Sequence, residues 1–351
     1  MTPTTTPDLS IVIPVYNAAP FLDTLLASFL ATTGDKDCCE LIAVNDASTD
    51  DSAKILTRWM TSRQLPLQVL TTPGLGPGPA REFGAQAARS SWVALVDADE
   101  RFSPGWLTAA LEFVQNPGQA VGCEGIVEVC DRHQVSLFTH QTQSLKPGRY
   151  LTANLILKRS LIQFCPRYRR GRFREDSDLA FQLLNSGHTI RHNPDLLVYH
   201  PPLPSAWWRP LSLARRYQYD GLLARRFPQH YWRDMDVHCL KGVSIPHLRL
   251  LIFGLCLGFQ LGALGMVVSS GFETTSLVWS GLLLLGSAML ALAPIFAYLP
   301  LRQLRWQQVP VALMVYAIVP WVAIVSWLYG FWHFRHESPF QAEGLRKSAT
   351  S

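Results

Sequence analysis

The chain has 351 residues, 48% of them hydrophobic and 16% charged, with a formal net charge of +5. That length leaves room for one large or two modest domains, and a charge this modest points to no nucleic-acid partner. Seven cysteines, an odd number at irregular spacing, exclude a disulfide framework and a paired CxxC zinc site.

Residues 1–8 are Thr/Pro-rich, lack a basic stretch and read as a flexible N-terminus; with no signal peptide, the N-terminal part is expected in the cytoplasm. An apolar strand over 9–15 stops at Pro14-Val15-Tyr16-Asn17. The spacing of Phe21, Leu22, Leu25, Leu26 and Phe29 then predicts a helix over 19–30. A strand over 41–44 ends in Asn45-Asp46-Ala47-Ser48-Thr49-Asp50, where Ser and Asp suit the cap of a helix over 51–61. Residues 67–70 form a third strand. A Gly/Pro loop over 73–79 leads to a helix over 80–88, and the run Trp92-Val93-Ala94-Leu95-Val96 is a fourth strand ending in Asp97-Ala98-Asp99. Strands alternating with helices of this length predict a largely parallel sheet in an α/β domain.

From residue 104 to about 199 the pattern is less regular. Helical periodicity covers 106–114 and 175–185, and strand-like runs cover 120–129, 151–157 and 196–199. Beyond His200 the character changes. Trp207, Trp208, Tyr217, Tyr219 and Phe227 are mixed with Arg209, Arg215, Arg216, Arg225 and Arg226, so residues 201–247 read as amphipathic helices at a membrane surface. Three apolar stretches follow, over 248–269, 277–299 and 309–332. Each is near the ~20 residues that span a bilayer, which predicts about three transmembrane helices over 248–334 and a flexible tail over 335–351. Arg302 and Arg305 between the second and third stretches place that connection, with the catalytic domain, in the cytoplasm. The chain is then a multi-pass protein of the inner (cytoplasmic) membrane. An odd number of spans puts the tail outside, although it carries Arg335, Arg346 and Lys347.

Four polar clusters fall at the carboxyl ends of the predicted strands, where open α/β sheets bind ligands. Tyr16 can stack on a base or pack as an ordinary aromatic. Asp46 can accept from a nucleobase edge or hold a turn. Arg81 can contact base or phosphate. Asp97 and Asp99, spaced i, i+2, can hold a hard divalent cation on a diphosphate or close a turn. The glycines of Gly74-Leu75-Gly76-Pro77-Gly78-Pro79 have the wrong spacing for a dinucleotide or P-loop fingerprint, and its two prolines remove amide donors.

These clusters make the sequence resemble the family 2 glycosyltransferases, which have a GT-A fold, Rossmann-like with a mostly parallel sheet. The resemblance rests on Ile11-Val12-Ile13-Pro14-Val15-Tyr16-Asn17, Val44-Asn45-Asp46-Ala47-Ser48-Thr49-Asp50, Pro79-Ala80-Arg81-Glu82-Phe83-Gly84 and Leu95-Val96-Asp97-Ala98-Asp99-Glu100. It continues through Leu151-Thr152-Ala153-Asn154 and Phe173-Arg174-Glu175-Asp176-Ser177-Asp178-Leu179, so that the domain covers residues 9–200. The resemblance implies that Pro14, Tyr16, Asn17, Asp46, Arg81 and Asp97 bind a nucleotide-sugar donor. It implies that Asp97 and Asp99 hold Mg²⁺ or Mn²⁺, with His200 as a candidate third ligand, and that Asp176 is the acceptor's base. Glu175, Asn154 and Arg172 are expected on the acceptor side. Glu82-Phe83 departs from the pattern, since family members commonly have Asn directly after the Arg.

The implied protein is a membrane-anchored, metal-dependent, inverting glycosyltransferase with a membrane-associated acceptor, for instance a polyprenyl-linked one. Arg167, Arg169, Arg170, Arg172 and Arg174 are either a solvated face or a grip on a lipid phosphate. Two alternatives stay open. A processive polysaccharide synthase is disfavoured because Gln303-Leu304-Arg305-Trp306 is one residue short of QxxRW and lies between membrane stretches. A catalytically silent nucleotide-sugar-binding scaffold is disfavoured by the retention of all three carboxylate positions.

Overall fold

The structure, a computed structural model, describes residues 6–168, 173–235, 238–240, 243–245, 247–270, 272–296 and 305–341. Expectations attached to Arg169, Arg170, Arg172, Arg302, Gln303 and Leu304, and to the outer parts of both termini, lie outside the described residues. The chain divides into two compact units. One comprises Met1–Cys130, Gln141–Pro201 and Phe340–Ser351, and the other Asp131–His140 and Pro202–Pro339.

The first unit is built on an eight-stranded sheet of β1 (Leu9–Val15), β2 (Cys39–Asp46), β3 (Leu67–Thr72), β4 (Trp92–Val96), β5 (Arg101–Phe102), β6 (Ala120–Val129), β7 (Asn154–Lys158) and β8 (Thr189–His200). Their order is β3-β2-β1-β4-β7-β6-β8-β5. The β3-β2-β1-β4 half is parallel, β7 runs antiparallel to both β4 and β6, and β8 is parallel to β6. Helices α1 (Ala19–Leu30), α2 (Ser52–Ser62), α3 (Pro77–Ala87), α4 (Trp106–Gln115) and α5 (Glu175–Asn185) complete the unit.

The central strands are mostly apolar because both faces are covered. Ile11, Ile13, Val15, Ala94 and Val96 pack with Leu22, Leu25 and Phe29 of α1 and Trp106 of α4. Val12, Val93 and Leu95 point the other way, towards Ala80 and Ala85 of α3 and Leu179 and Leu183 of α5. Each large side chain so buried is worth about 1.5–3 kcal/mol. Gly84 lets α3 approach closely, since a Cβ there would meet Val44 Cγ2 at 2.9 Å. The ladder between β1 and β4 ends at Val12, two residues before Pro14, which has no N–H to offer a neighbour. The two strands therefore part at their carboxyl ends, where a crevice is wanted.

Two local expectations are corrected here. The segment expected as a loop up to residue 79 already enters α3 at Pro77, because the first turn of a helix has no partners for the amides that Pro77 and Pro79 lack. Phe340, expected in a flexible tail, packs against the Val12–Leu95 side of the core of this unit.

The second unit has three short helices, α6 (Arg209–Arg215), α7 (Gln218–Arg226) and α8 (Pro228–Asp234). An antiparallel pair follows, β9 (His238–Leu240) with β10 (Val243–Ile245), so residues 201–247 are not helical throughout. Three long helices complete it, α9 (Leu248–Ser270), α10 (Thr274–Phe296) and α11 (Val309–His333), each long and apolar enough to cross a membrane. Gln260 of α9 ties them together. Its Nε2 donates to Ser287 Oγ of α10 and to the Ala317 carbonyl of α11, both at 2.8 Å, and its Oε1 accepts from Trp321 Nε1. Apolar surroundings leave such groups no competing water, so the network fixes the helices' register.

Candidate active site

Two loops brace each other at the carboxyl ends of β1 and β2. Asn17 Oδ1 accepts from Thr49 N at 2.8 Å, and Ser48 Oγ accepts from Asn17 N at 3.1 Å. The amides of Ala18 and Ala19, which start α1 without a capping side chain of their own, donate to Ser52 Oγ (2.9 Å) and Asp50 Oδ2 (3.0 Å). Asp50, expected to cap α2, does accept from Ser52 N at the start of α2 (3.0 Å), and its other oxygen caps α1 across the sheet edge. Tyr16 stands at this edge with 47% of its surface exposed.

Asp46 faces away from solvent. Its Oδ1 accepts from Thr72 Oγ1 and Leu75 N (2.6 Å each), and Oδ2 accepts from Gly76 N at 2.7 Å. Burial alone would raise its pKa; the hydrogen bonds from Thr72, Leu75, Gly76 and Gly74 outweigh that and hold it below the ordinary carboxylate range. The contacts found for Asp46 are therefore to the loop that delivers Arg81, not to open space.

Arg81, 5% exposed in the first half of α3, is the cation around which the site is built. Its Nη2 pairs with Asp97 Oδ1, and its Nη1 lies 3.9 Å from Glu175 Oε1. Burial would lower its pKa, but Asp97 and Glu175 more than offset this, so the guanidinium stays charged. At the end of β8, His200 Nε2 lies 3.4 Å from Asp99 Oδ2, and the ring's Nδ1 is 2.7 Å from the Pro201 carbonyl. A carbonyl only accepts, so Nδ1 donates its proton there, and Nε2 is the ring nitrogen turned towards Asp99. One ligand atom from each of Asp97, Asp99 and His200 lies within 4.8 Å of the others.

The carboxylates outnumber the cations. Desolvation raises Asp99, with His200 pulling it down and Asp97 pushing it up, and desolvation also raises Asp176. Glu175 is pushed up to about 7, first by burial and then by Asp176 and Asp97, against the pull of Arg81. Glu100, 1% exposed, lies well above its ordinary range because it is buried beside Asp97 and Asp99. Its Oε2 accepts from Asp97 N at 3.1 Å, while among the described residues Oε1 finds no hydrogen-bond partner, nor does Glu175 Oε2. Two carboxylates and an imidazole nitrogen within reach of one another suit a divalent cation such as Mg²⁺ or Mn²⁺.

Glu175 and Asp176 open α5, set up by Arg174 in a left-handed conformation (φ 71°). Asp176 Oδ1 accepts from Ser177 N at 2.8 Å. Asn154 is committed elsewhere. Its Nδ2 donates to the carbonyls of Ile126 (2.9 Å) and Leu196 (2.8 Å), and Oδ1 accepts from Trp106 Nε1 at 3.0 Å, so its amide is spent joining β7, β6, β8 and α4. Sequence reading passed over Glu124, whose carboxylate accepts from the amides of Gly148 (2.7 Å), Arg149 (2.8 Å) and Tyr150 (2.5 Å) and so fixes the loop before β7. An acidic residue inside the strand-like run 120–129 was the available signal.

Comparison with known proteins agrees with this geometry. Residues 10–178 match the pattern of glycosyl transferase family 2. The chain is 31% identical, over 42% of its length, to the uncharacterized glycosyltransferase EpsJ of Bacillus subtilis, of which it covers 40%. It is 29% identical, over 30% of its length, to the poly(ribitol-phosphate) beta-N-acetylglucosaminyltransferase TarS of Staphylococcus aureus, of which it covers 18%. The chain thus spans well under two thirds of these relatives. Among solved structures, the mannosyltransferase PcManGT of Pyrobaculum calidifontis, in complex with GDP-Man and Mn²⁺, superposes with a TM-score of 0.52 at 16% identity, over 93% of this chain and 88% of that one. At that identity the likeness is one of fold.

Proposed function

From the premise that residues 10–178 belong to glycosyl transferase family 2, with a GT-A-like sheet followed by apolar helices, we propose that the chain is a membrane-bound, metal-dependent, inverting glycosyltransferase. Its donor is a nucleotide-sugar and its acceptor a membrane-associated hydroxyl compound, with a polyprenyl-linked glycan as the class that best fits. The catalytic unit faces the cytoplasm. The observation that carries this reading is the meeting of Asp97, Asp99 and His200 with Arg81, Glu175 and Asp176 at the carboxyl ends of one sheet.

In the proposed reaction the acceptor oxygen attacks the anomeric carbon as the bond from that carbon to the diphosphate oxygen breaks. Asp176 takes the acceptor's proton, and its raised pKa makes it a stronger base than an exposed aspartate. Arg81 fixes Asp97 and Glu175 relative to each other. Tyr16, at the exposed edge, is the stacking surface for the base. Asp97, Asp99 and His200 would hold one divalent cation, which supplies positive charge opposite the departing diphosphate.

The test is turnover of UDP-, GDP- and dTDP-sugars by the full chain with a membrane-lipid extract, with and without Mn²⁺. Asp97→Asn and Asp99→Asn are expected to abolish metal-dependent donor binding. Asp176→Asn should keep binding and lose turnover. Wild-type turnover by the Asp176 variant removes it as the base, and no metal-dependent binding of any donor removes the enzyme reading.

A further inference from the structure

We infer that Glu82 and Gln182 are positioning residues for the proposed transfer. Between them they clamp one peptide group, Gln163–Phe164, and so hold Asp176 on α5 in a fixed place relative to Arg81 on α3. This rests on the reading above, in which Asp176 takes the acceptor's proton.

The clamp closes on a single peptide unit. Glu82 Oε2 accepts from Phe164 N at 2.9 Å. The carbonyl of the same peptide bond, that of Gln163, accepts from Gln182 Nε2 at 3.3 Å. A trans peptide group is planar and rigid, so its N–H and C=O point in opposite directions and move as one body. Glu82 of α3 therefore grips one side of it and Gln182 of α5 the other. Phe164 is 5% exposed, so water is a poor substitute for a lost acceptor.

Each helix presents the clamp and the site together. On α3, Gly78 and Glu82 are about one turn apart on one face. Phe164 settles against the bare Gly78, where a Cβ would meet Phe164 Cδ1 at 3.1 Å. Phe164 is thus docked on α3 by its ring as well as its amide, and Arg81 directly precedes Glu82. On α5, Glu175, Asp178 and Gln182 follow at spacings of three and four and share a face. Gln182 Nε2 also donates to Asp178 Oδ1 at 2.7 Å, which fixes the amide in the orientation that reaches Gln163.

The two helices meet a second time at the site, where Arg81 Nη1 lies 3.9 Å from Glu175 Oε1. That single long contact leaves α5 free to pivot about Glu175. The clamp acts seven residues further along α5, about 10 Å at the helical rise, and two separated ties fix direction as well as distance. Ala80, Ala85, Leu179 and Leu183 share one buried cluster, but apolar attraction is non-directional and the hydrogen bonds supply the register. A small cavity walled by Pro77, Pro79, Phe164, Tyr168 and Glu175 lies beside these groups, so its width follows where Phe164 is held.

Proton transfer needs Asp176 within hydrogen-bond reach of the attacking hydroxyl, and a displacement of about 1 Å costs up to about a hundredfold in rate. Donor binding is proposed to use Tyr16 and the metal ligands, which lie outside the clamp. The signature of the clamp is therefore a loss in kcat without a matching loss in donor affinity.

The test uses the full detergent-solubilised chain with Mn²⁺ and whichever of the UDP-, GDP- and dTDP-sugars the parent turns over. Glu82→Gln keeps a carbonyl oxygen at the same reach, whereas Glu82→Asn is one methylene too short to meet Phe164 N. Glu82→Asn and Gln182→Leu are each expected to lower kcat at least about tenfold, with the donor's dissociation constant within about twofold of the parent's. Glu82→Gln should restore kcat, and the double variant should lose no more than the worse single one, since both act through one peptide. Exchange of the Phe164 amide hydrogen should quicken about tenfold in Glu82→Asn. Parental kcat in Glu82→Asn, or equal losses in Glu82→Gln and Glu82→Asn, overturns the inference. So does a loss of donor-binding sites in proportion to lost turnover, which marks a folding defect alone. If the parent turns over no donor, the enzyme reading fails by itself; unchanged Phe164 exchange in Glu82→Asn then overturns the clamp, and quickened exchange supports it.

Discussion

Asp46→Asn separates two roles for this residue, holding the loop before α3 and contacting a donor directly. The substitution keeps the shape but removes the charge and turns one acceptor into a donor. In the cheaper orientation the remaining oxygen keeps Thr72 Oγ1 and Leu75 N, and the new amide faces Gly76 N, now 2.7 Å from Oδ2. One charge-assisted hydrogen bond is lost, about 1.5–3 kcal/mol, and two fall to neutral strength, about 1 kcal/mol more. A total near 3 kcal/mol lowers an unfolding midpoint by about 6–12 °C for a unit of this size. Because the native carboxyl is held below its ordinary range, its contribution is complete above that range and is lost as pH falls through the depressed folded value. The gap between the two proteins should therefore close in acid. The assay is thermal unfolding of the detergent-solubilised chain, with amide hydrogen exchange read at Leu75 and Gly76. An unchanged midpoint together with unchanged exchange at those amides refutes the loop-holding account.

At the opposite edge of the sheet, Glu40 accepts from Ser10 Oγ (2.6 Å), Arg89 N (2.7 Å) and Arg89 Nε (2.7 Å). Burial raises its pKa, but these bonds outweigh it and the net direction is down, so Glu40→Gln should cost stability at neutral pH and progressively less as pH falls through the depressed folded value. Donor binding, measured alongside, should not change, because Glu40 is far from the carboxyl ends. Gly330→Ala would drive a methyl into the Gln218 carbonyl of α7, with little room to relax backbone against backbone. A loss of about 3 kcal/mol is expected, read as early aggregation in detergent by size-exclusion chromatography; a wild-type profile would contradict the close approach. His200→Ala should weaken Mn²⁺ binding, measured by calorimetry, at least about tenfold, and unaltered affinity would remove His200 as a ligand.

The parallel half of the sheet was legible because its strands are buried on both faces and punctuated by Asn, Asp, Gly and Pro. β1, α1 and α5 fall where the apolar spacing puts them, and the Asp97–Asp99 pair emerges where strand order requires. What the sequence hid was local satisfaction. Asp46, Asn17 and Asn154 look like ligand contacts because polar residues at strand ends usually are; only coordinates reveal that the loops and the sheet itself use these groups. Glu100 and Glu124 were hidden for the complementary reason, since a single acidic residue in a strand or at its exit carries no periodicity. The helical reading of 201–247 failed at β9 and β10 because the Arg and aromatic residues that suggested it end at Arg233, and neither His238-Cys239-Leu240 nor Val243-Ser244-Ile245 carries one.

The chain passes between its two units four times, at residues 130/131, 140/141, 201/202 and 339/340. A common route to a soluble catalytic fragment is truncation before the first apolar helix, and that route is poorly matched to such an arrangement. A fragment ending at Pro201 would carry Val135, Leu137 and Phe138 stripped of the side chains that bury them, and would lack Phe340, which packs against its core. Such a fragment presents a fresh sticky patch and is expected to aggregate. A better one replaces 131–140 with a short polar turn and joins residues around Phe340 to Pro201 by a flexible linker.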